Sequence, residues 1–263
     1  MSPSKKIPQK DRHLAIASGD VQCAATTVET WIGWNAAGVA TTQIFQLDKS
    51  YGADGMVVKH GIAKITDLKG KTVAASPPGT SPYFALAWMP KKNGMSVKDV
   101  KVVNLEPQPA ANAIIAGTEG VDAGMTYEPY LSAVRAKPEA GKIIATTLDY
   151  PMVMDTFGCT PKFLAETPKA ASGLADAYFD ALDMIKADPK KSFEIMGADV
   201  KQTGEAFEGS QKYLRWQDRA ANQKFFAREH AAFSKQAADL LLEAGIIKSI
   251  PDMTKLADTQ FIK

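Results

Sequence analysis

Hydrophobic and polar positions along this chain alternate between two textures. Up to about residue 160, short apolar and β-branched runs at 21–25, 42–47, 55–59, 72–75, 100–105, 121–126 and 142–148 read as strands. Between them, stretches of helical spacing at 28–37, 83–92 and 110–116, and a further one opening at Glu128-Pro129, read as helices. Strands alternating with helices of about ten residues predict an α/β architecture with parallel layers. From about residue 161 the pattern becomes alanine-rich and helical, at 169–186, 189–196, 203–213 and 220–244. The last of these carries Phe225, Phe226, Phe233, Leu240 and Leu241 at three-to-four spacing, the stripe of a helix packed on a core, and Gly245 stops it.

One segment occurs twice. The run 15–27 ends an apolar helix, stops on Gly19, and continues as a short strand to Thr26 and Thr27. The run 113–127 does the same through Gly117 and Gly120 to Thr126 and Tyr127. A unit used twice predicts two similar lobes with a cleft between them. A whole strand-helix-strand precedes the second copy, whereas residues 1–12, with Lys5, Lys6 and Lys10, read as a disordered leader before the first.

At 263 residues the chain can bury a real core, and a net charge of +2 gives no general pull toward nucleic acid or membrane. No run approaches the ~20 apolar residues of a membrane span. The first ten residues lack the apolar stretch of a secretion signal. Cys23 and Cys159 have neither CxxC nor metal-ligand spacing. Both lie in apolar surroundings and are expected to be buried free thiols, with a single bridge between them as the alternative.

Candidate chemistry gathers where strands end and helices begin. Gly79, Thr80 and Ser81, with Pro82 behind them, follow a strand and open a helix. Ser81 fits the N-cap, and its hydroxyl, the backbone N–H groups and the positive helix end converge on one point, a place for a carboxylate, sulfonate or phosphate. The alternative is a well-capped helix without a ligand. No Walker loop or GxGxxG turn is present. Tyr127 and Glu128 end the second copy of the repeat; Glu128 serves either a ligand N–H or cation, or the helix start itself. Asp54, in an exposed joint from 48 to 55, is either a second acceptor or a turn residue. His13, His60 and His230 are scattered, and Cys23 with His60 is the sole pair one could nominate for catalysis. Trp31, Trp34 and Trp216 are expected in the core rather than around a pocket.

These segments resemble the periplasmic solute-binding proteins of ABC importers for nitrate, sulfonates, taurine and thiamine-pyrimidine-type compounds. The resemblance rests on the runs 47–55, 65–74, 79–84 and 116–129, and extends over nearly the whole chain from His13. It implies a type II two-lobed fold, with lobe 1 formed by 13–60 and 158–263 and lobe 2 by 61–157. It also implies a small polar solute held in the cleft, a permease as partner, a periplasmic location, no cofactor, no metal and no nucleic acid. The ligand contacts so implied are Thr26, Thr27, Ser50, Asp54, Gly79, Thr80, Ser81, Tyr127 and Glu128. Relative to that family, lobe 1 appears incomplete at its start. Two acidic candidates, Asp54 and Glu128, imply a ligand with N–H or cationic character. An enzyme on the same scaffold, synthase-like or desulfinase-like, and a non-binding fragment are the alternatives.

Overall fold

A computed structural model describes residues 6–263. The chain runs through α1 (Arg12–Ala17), β1 (Cys23–Thr27), α2 (Val28–Ala36), β2 (Thr42–Ser50), β3 (Asp54–Val58), β4 (Thr72–Ala75) and α3 (Ser81–Lys92). It continues with β5 (Lys101–Asn104), α4 (Pro107–Ile115), β6 (Ala123–Tyr127), α5 (Tyr130–Arg135), β7 (Lys142–Thr146) and β8 (Met154–Cys159). Then come α6 (Pro161–Glu166), α7 (Pro168–Ala187), α8 (Pro189–Asp199), α9 (Gly204–Ser210), β9 (Leu214–Trp216), α10 (Arg219–Lys224) and α11 (His230–Glu243).

The strands form two sheets. One has the order β1-β8-β2-β9 and the other β5-β4-β6-β3-β7. Parallel pairing is confined to β5-β4-β6, whose strands are joined through α3 and α4; every other pair is antiparallel. The expected parallel layers therefore hold for one part of one sheet, because β8 is inserted antiparallel between β1 and β2, and β3 between β6 and β7.

The chain passes between the sheets twice, at 51–53 and at 147–153. Ser50 Oγ and Thr147 Oγ1 share a hydrogen bond of 2.7 Å across the two passages, and the Gly52 N–H donates to the same Thr147 oxygen at 2.8 Å. Ser50, Gly52 and Ala53 are buried, so the joint expected to be an exposed loop is the stitched crossing of the molecule. The crossings also set which strand belongs where. β3 lies in the second sheet, although the boundary expected at 60 grouped it with the first, and β8 lies wholly in the first.

β8 and β9 were not apparent in the sequence pattern. β8 reads Met-Asp-Thr-Phe-Gly-Cys, with an acid and a glycine where a central strand is expected to be apolar. The glycine has a cause: a Cβ on Gly158 would stand 2.8 Å from the Thr42 carbonyl oxygen and 3.0 Å from the Trp31 ring. Trp31, fully buried, donates its indole N–H to Thr156 Oγ1 at 2.8 Å. Trp31 and Trp34 pack edge to face in a small cluster with Ile16, so they are core residues as expected.

The two cysteines are joined, Cys23 to Cys159, across 136 residues of sequence. The expectation of free thiols is corrected by register: β1 and β8 pair antiparallel with Cys23 directly opposite Cys159, a neighbourhood that no sequence spacing announces. The leader also ends sooner than expected. Residues 1–5, including Lys5, lie outside the described residues. Gln9–Asp11 forms a 3-10 turn, and Arg12 opens α1 and donates to the carbonyls of Ile7 (3.0 Å) and Ala25 (2.9 Å).

The main apolar core packs the second sheet against helices, and the first sheet's Ile44 and Phe45 pack in a separate cluster with α7. Val28 and Ile32 of α2, Phe84 and Leu86 of α3, Met56 of β3, and Phe233, Ala237 and Leu241 of α11 belong to one cluster. The stripe expected on one long helix is broken by a wider π turn, Phe225–Glu229, before α11. The larger number of residues per turn brings Phe225 and His230 toward one face, and both are buried.

Candidate functional site

A cavity of about 810 Å³ opens between the two sheets. Its wall takes Thr26 and Thr27 from the end of β1, Asp54 from the start of β3, Ser81 from the start of α3, and Tyr127 and Glu128 from the end of β6. Those are six of the nine residues expected to contact a ligand, separated by up to a hundred positions and brought to one place by the sheet topology. Ser50, Gly79 and Thr80 are elsewhere. Ser50 is occupied in the crossing, accepting the Asp54 N–H at 3.2 Å. Thr80, not Ser81, holds the N-cap position of α3, and its hydroxyl donates to the Pro77 carbonyl at 2.7 Å. Gly79 has positive φ (89°), so it serves the turn.

Two helices start at the cavity, α2 after Thr27 and α3 after Thr80. The free N–H groups and positive ends of such helices favour an anion or an acceptor oxygen. Beside them, Thr26 Oγ1 is buried without a hydrogen-bond partner, whereas the buried Ser81 hydroxyl faces the Glu29 carboxyl. Buried hydroxyls are ordinarily satisfied, so the orphan on the cavity wall needs an explanation. Thr27, by contrast, is engaged: its hydroxyl donates to Glu29 Oε1 at 2.5 Å and lies 2.8 Å from Thr30 Oγ1. The Glu29 carboxyl is buried, which pushes its pKa up to about 8 despite the hydroxyls of Thr27 and Ser81 that it accepts from.

The acidic side of the cavity differs from the expectation in its second member. Glu128 pairs with Arg135 and accepts the Ser132 N–H at 3.0 Å, so it caps and neutralises the start of α5. The carboxylate that stands with Asp54 is Asp155 of β8. Burial pushes Asp54 up to about 7, opposed by the Ser50 hydroxyl and reinforced by repulsion from Asp155 and Glu128. Burial likewise raises Asp155 to about 6, with Arg12 working in the opposite direction. Asp48, which pairs with Asp155 across the β2–β8 ladder, is held well above the usual range by burial and by Asp155 and Asp54.

Arg12 and Asp155 are the functional candidates that the pattern missed. Arg12 lay in a segment read as leader, and Asp155 in a strand that was not recognised. Among the described residues no group of three or more His, Cys, Asp or Glu side chains could hold a metal ion. Cys23 is spent in the disulfide, and His60 faces the Glu139 carbonyl at 2.8 Å, so the one nominated catalytic pair is not assembled.

Comparison with known proteins follows the same outline. The family model of NMT1/THI5-like proteins matches residues 5–192. The taurine-binding periplasmic protein of Escherichia coli K12 is 29% identical over 185 residues, which is 66% of this chain and 54% of that protein. The chain spans about half the length of the curated relatives it matches. Among solved structures, the alkanesulfonate-binding protein SsuA from Xanthomonas axonopodis pv. citri, bound to MOPS, superposes with a TM-score of 0.79 at 17% identity, covering 95% of this chain and 85% of that one. The desulfurization enzyme DszB has the same fold at greater distance, with a TM-score of 0.63 at 13% identity over 91% of this chain and 83% of its own. The architecture is thus the α/β, two-lobed periplasmic-binding-protein fold. No helix among the described residues is long and apolar enough to cross a membrane.

Proposed function

The chain belongs to the NMT1/THI5-like family, and from that membership we propose that it is the extracytoplasmic solute-binding component of an ABC importer. It captures a small polar solute in the cavity between the sheets and presents it to a membrane permease. The observation that carries this reading is the buried, unpartnered Thr26 Oγ1 on the wall of a cavity at which two helices start. A bound solute supplies the missing partner. A volume of about 810 Å³ suits a small molecule. Solute contacts in this reading come from Thr26, Thr27, Asp54, Ser81, Tyr127 and Asp155.

Two further observations support it. The Cys23–Cys159 disulfide belongs in an oxidising compartment such as the periplasm. Its formation also removes the thiol that catalysis on the same scaffold would have drawn on, which favours binding over turnover. The relatives with the names given above bind taurine and alkanesulfonates.

The test is ligand-dependent melting of the purified protein after endogenous solute has been removed by unfolding and refolding. A solute at a hundred times its dissociation constant stabilises by about 2.7 kcal/mol, a clear shift in Tm. A screen of sulfonates, amines, amidines, nitrate and pyrimidines that moves Tm with none of them overturns the proposal.

A further inference from the structure

We infer that Asp54 and Asp155 form a subsite for a cationic N–H group of the solute, so that the cavity selects amine- or amidine-bearing ligands over plain anions. This rests on the solute-binding reading above and specifies the chemistry of its ligand.

The argument starts from what surrounds the two carboxylates. Both lie on the cavity wall, and neither has an ion-pair partner within 4.0 Å among the described residues. The cation nearest in effect, Arg12, spends its guanidinium on the carbonyls of Ile7 and Ala25. Glu128 is already neutralised by Arg135, which leaves that arginine unavailable to Asp54. Behind the pair stands Asp48, also repelling. Carboxylates this buried and this close are costly without a counter-charge, and protein folds ordinarily give buried charges a partner. Here Arg12, on the same cavity wall, attracts Asp155 without an ion pair within 4.0 Å, no cation acts on Asp54, and the open side faces the cavity.

An orphaned hydroxyl lies on the same wall. Thr27 is the ladder partner of Asp155, and Thr26, the residue beside it, lines the cavity with its buried Oγ1 unpartnered. A plain anion seated at the two helix starts would meet Asp54 and Asp155 against the single cation Arg12 in the same volume, where repulsion is poorly screened. A ligand whose acceptor atoms face α2 and α3 and whose N–H cation faces Asp54 and Asp155 satisfies the helix starts and the acids together. A purely cationic amidine satisfies the acids alone.

Two matched pairs test this with the full chain, measured by calorimetry and melting: taurine against ethanesulfonate, and benzamidine against benzoate. The N–H cation of each pair should bind about tenfold tighter or more, a preference worth about 1.4 kcal/mol. Binding at pH 6.5 should also release protons, seen as a dependence of the binding heat on buffer ionisation enthalpy, because a bound cation favours the ionised carboxylates. In Asp54→Asn and Asp155→Asn, checked for unchanged circular dichroism, the preference should fall at least about tenfold. Anions binding as tightly as their N–H partners overturns the inference while the solute-binding reading stands. Binding of the cations without proton release, undiminished in both variants, overturns the subsite. Silence from all four probes overturns the inference; if the wider screen also leaves Tm unmoved, the solute-binding reading falls with it.

Discussion

β1 and β6 are written almost alike and live differently. The residues Cys23, Ala24, Ala25, Thr26 and Thr27 of one correspond in order to Ala123, Gly124, Met125, Thr126 and Tyr127 of the other. Each strand follows a helix and a positive-φ glycine, and each ends on the cavity. β6, however, runs between β4 and β3, whereas β1 stands at the edge with β8 as its single neighbour. The consequence shows at the middle residue, where Met125 is 1% exposed and Ala25 is exposed to solvent. Local pattern specifies the element; the number of neighbours decides how the element is held. β6 is held by two ladders and a packed side chain, β1 by one ladder and a disulfide.

The largest effect should come from removing that disulfide. Cys23→Ala with Cys159→Ala releases a closure of 136 residues and should cost about 4 kcal/mol, or roughly 12 °C in Tm. Alanine avoids leaving a polar atom at position 159, which is fully buried. Reduction of the unmodified protein should give a comparable drop, and an unchanged melting curve would show that the single ladder suffices to hold β1.

Next comes the middle pair. Met125→Ala should cost about 3 kcal/mol by opening a cavity between the sheet and its helices. Ala25→Met, at the matching position, should stay within about 0.5 kcal/mol. Equal costs in denaturant titrations would erase the distinction between edge and centre.

The threonines one step further divide stability from binding. Thr126 Oγ1 donates to the Pro107 carbonyl at 2.8 Å, so Thr126→Val removes a buried hydrogen bond and should cost about 1 kcal/mol. Thr26 Oγ1 has no partner to lose, and Thr26→Val should leave stability within about 0.5 kcal/mol while weakening solute binding. A loss of stability at Thr26 equal to that at Thr126 would mean that its hydroxyl is structural and not reserved for a ligand.

The repeat was legible because a helix, a glycine and a β-rich run each leave a local mark, and the strand at 72–75 and the helix through Lys92 were readable for the same reason. Six of the residues expected as ligand contacts line the cavity, Ser81 and Glu128 legible from a strand-to-helix joint and Thr26 and Thr27 from the resemblance. What stayed hidden depended on pairing. Asp155 and Gly158 look wrong for a central strand until Trp31 and the Thr42 carbonyl are placed over the glycine and the cavity in front of the acid. The disulfide is a matter of β1–β8 register, and Ser50, readable as a ligand contact, turned out to serve Thr147 across the chain crossing. Glu128 was placed correctly at the cavity, but its partner Arg135 lies in the next helix, where no motif pairs them.

The smallest effect is the most specific to the cavity. Asp54, Asp155 and Glu29 have folded pKa values raised to about 7, 6 and 8, above the unfolded range near 4. The folded protein therefore binds more protons than the unfolded chain between those values, and this contribution to stability, full at low pH, is lost as pH rises from about 4 to 8. Asp48, Glu128 and Arg12 face the same groups, the first two raising and the last lowering the tendency to hold a proton. His230 opposes this: burial lowers it to about 4, so its contribution is present above about 6.5 and is lost as pH falls toward 4. The solute-free protein should accordingly melt highest near about pH 4, where the acids outnumber the opposing histidine, and lose Tm steadily toward pH 8. Asp54→Asn and Asp155→Asn should flatten the alkaline side of that profile, and a bound N–H cation should reverse its slope. Corresponding substitutions at β6 should leave the profile alone, since Thr126 and Tyr127 bring no acid to the cavity; Tyr127, pushed up to about 12 by burial and the acids beside it, stays neutral throughout. A profile that is unchanged by either Asp substitution would place the proton elsewhere and make β1 and β6 equivalent at the cavity after all.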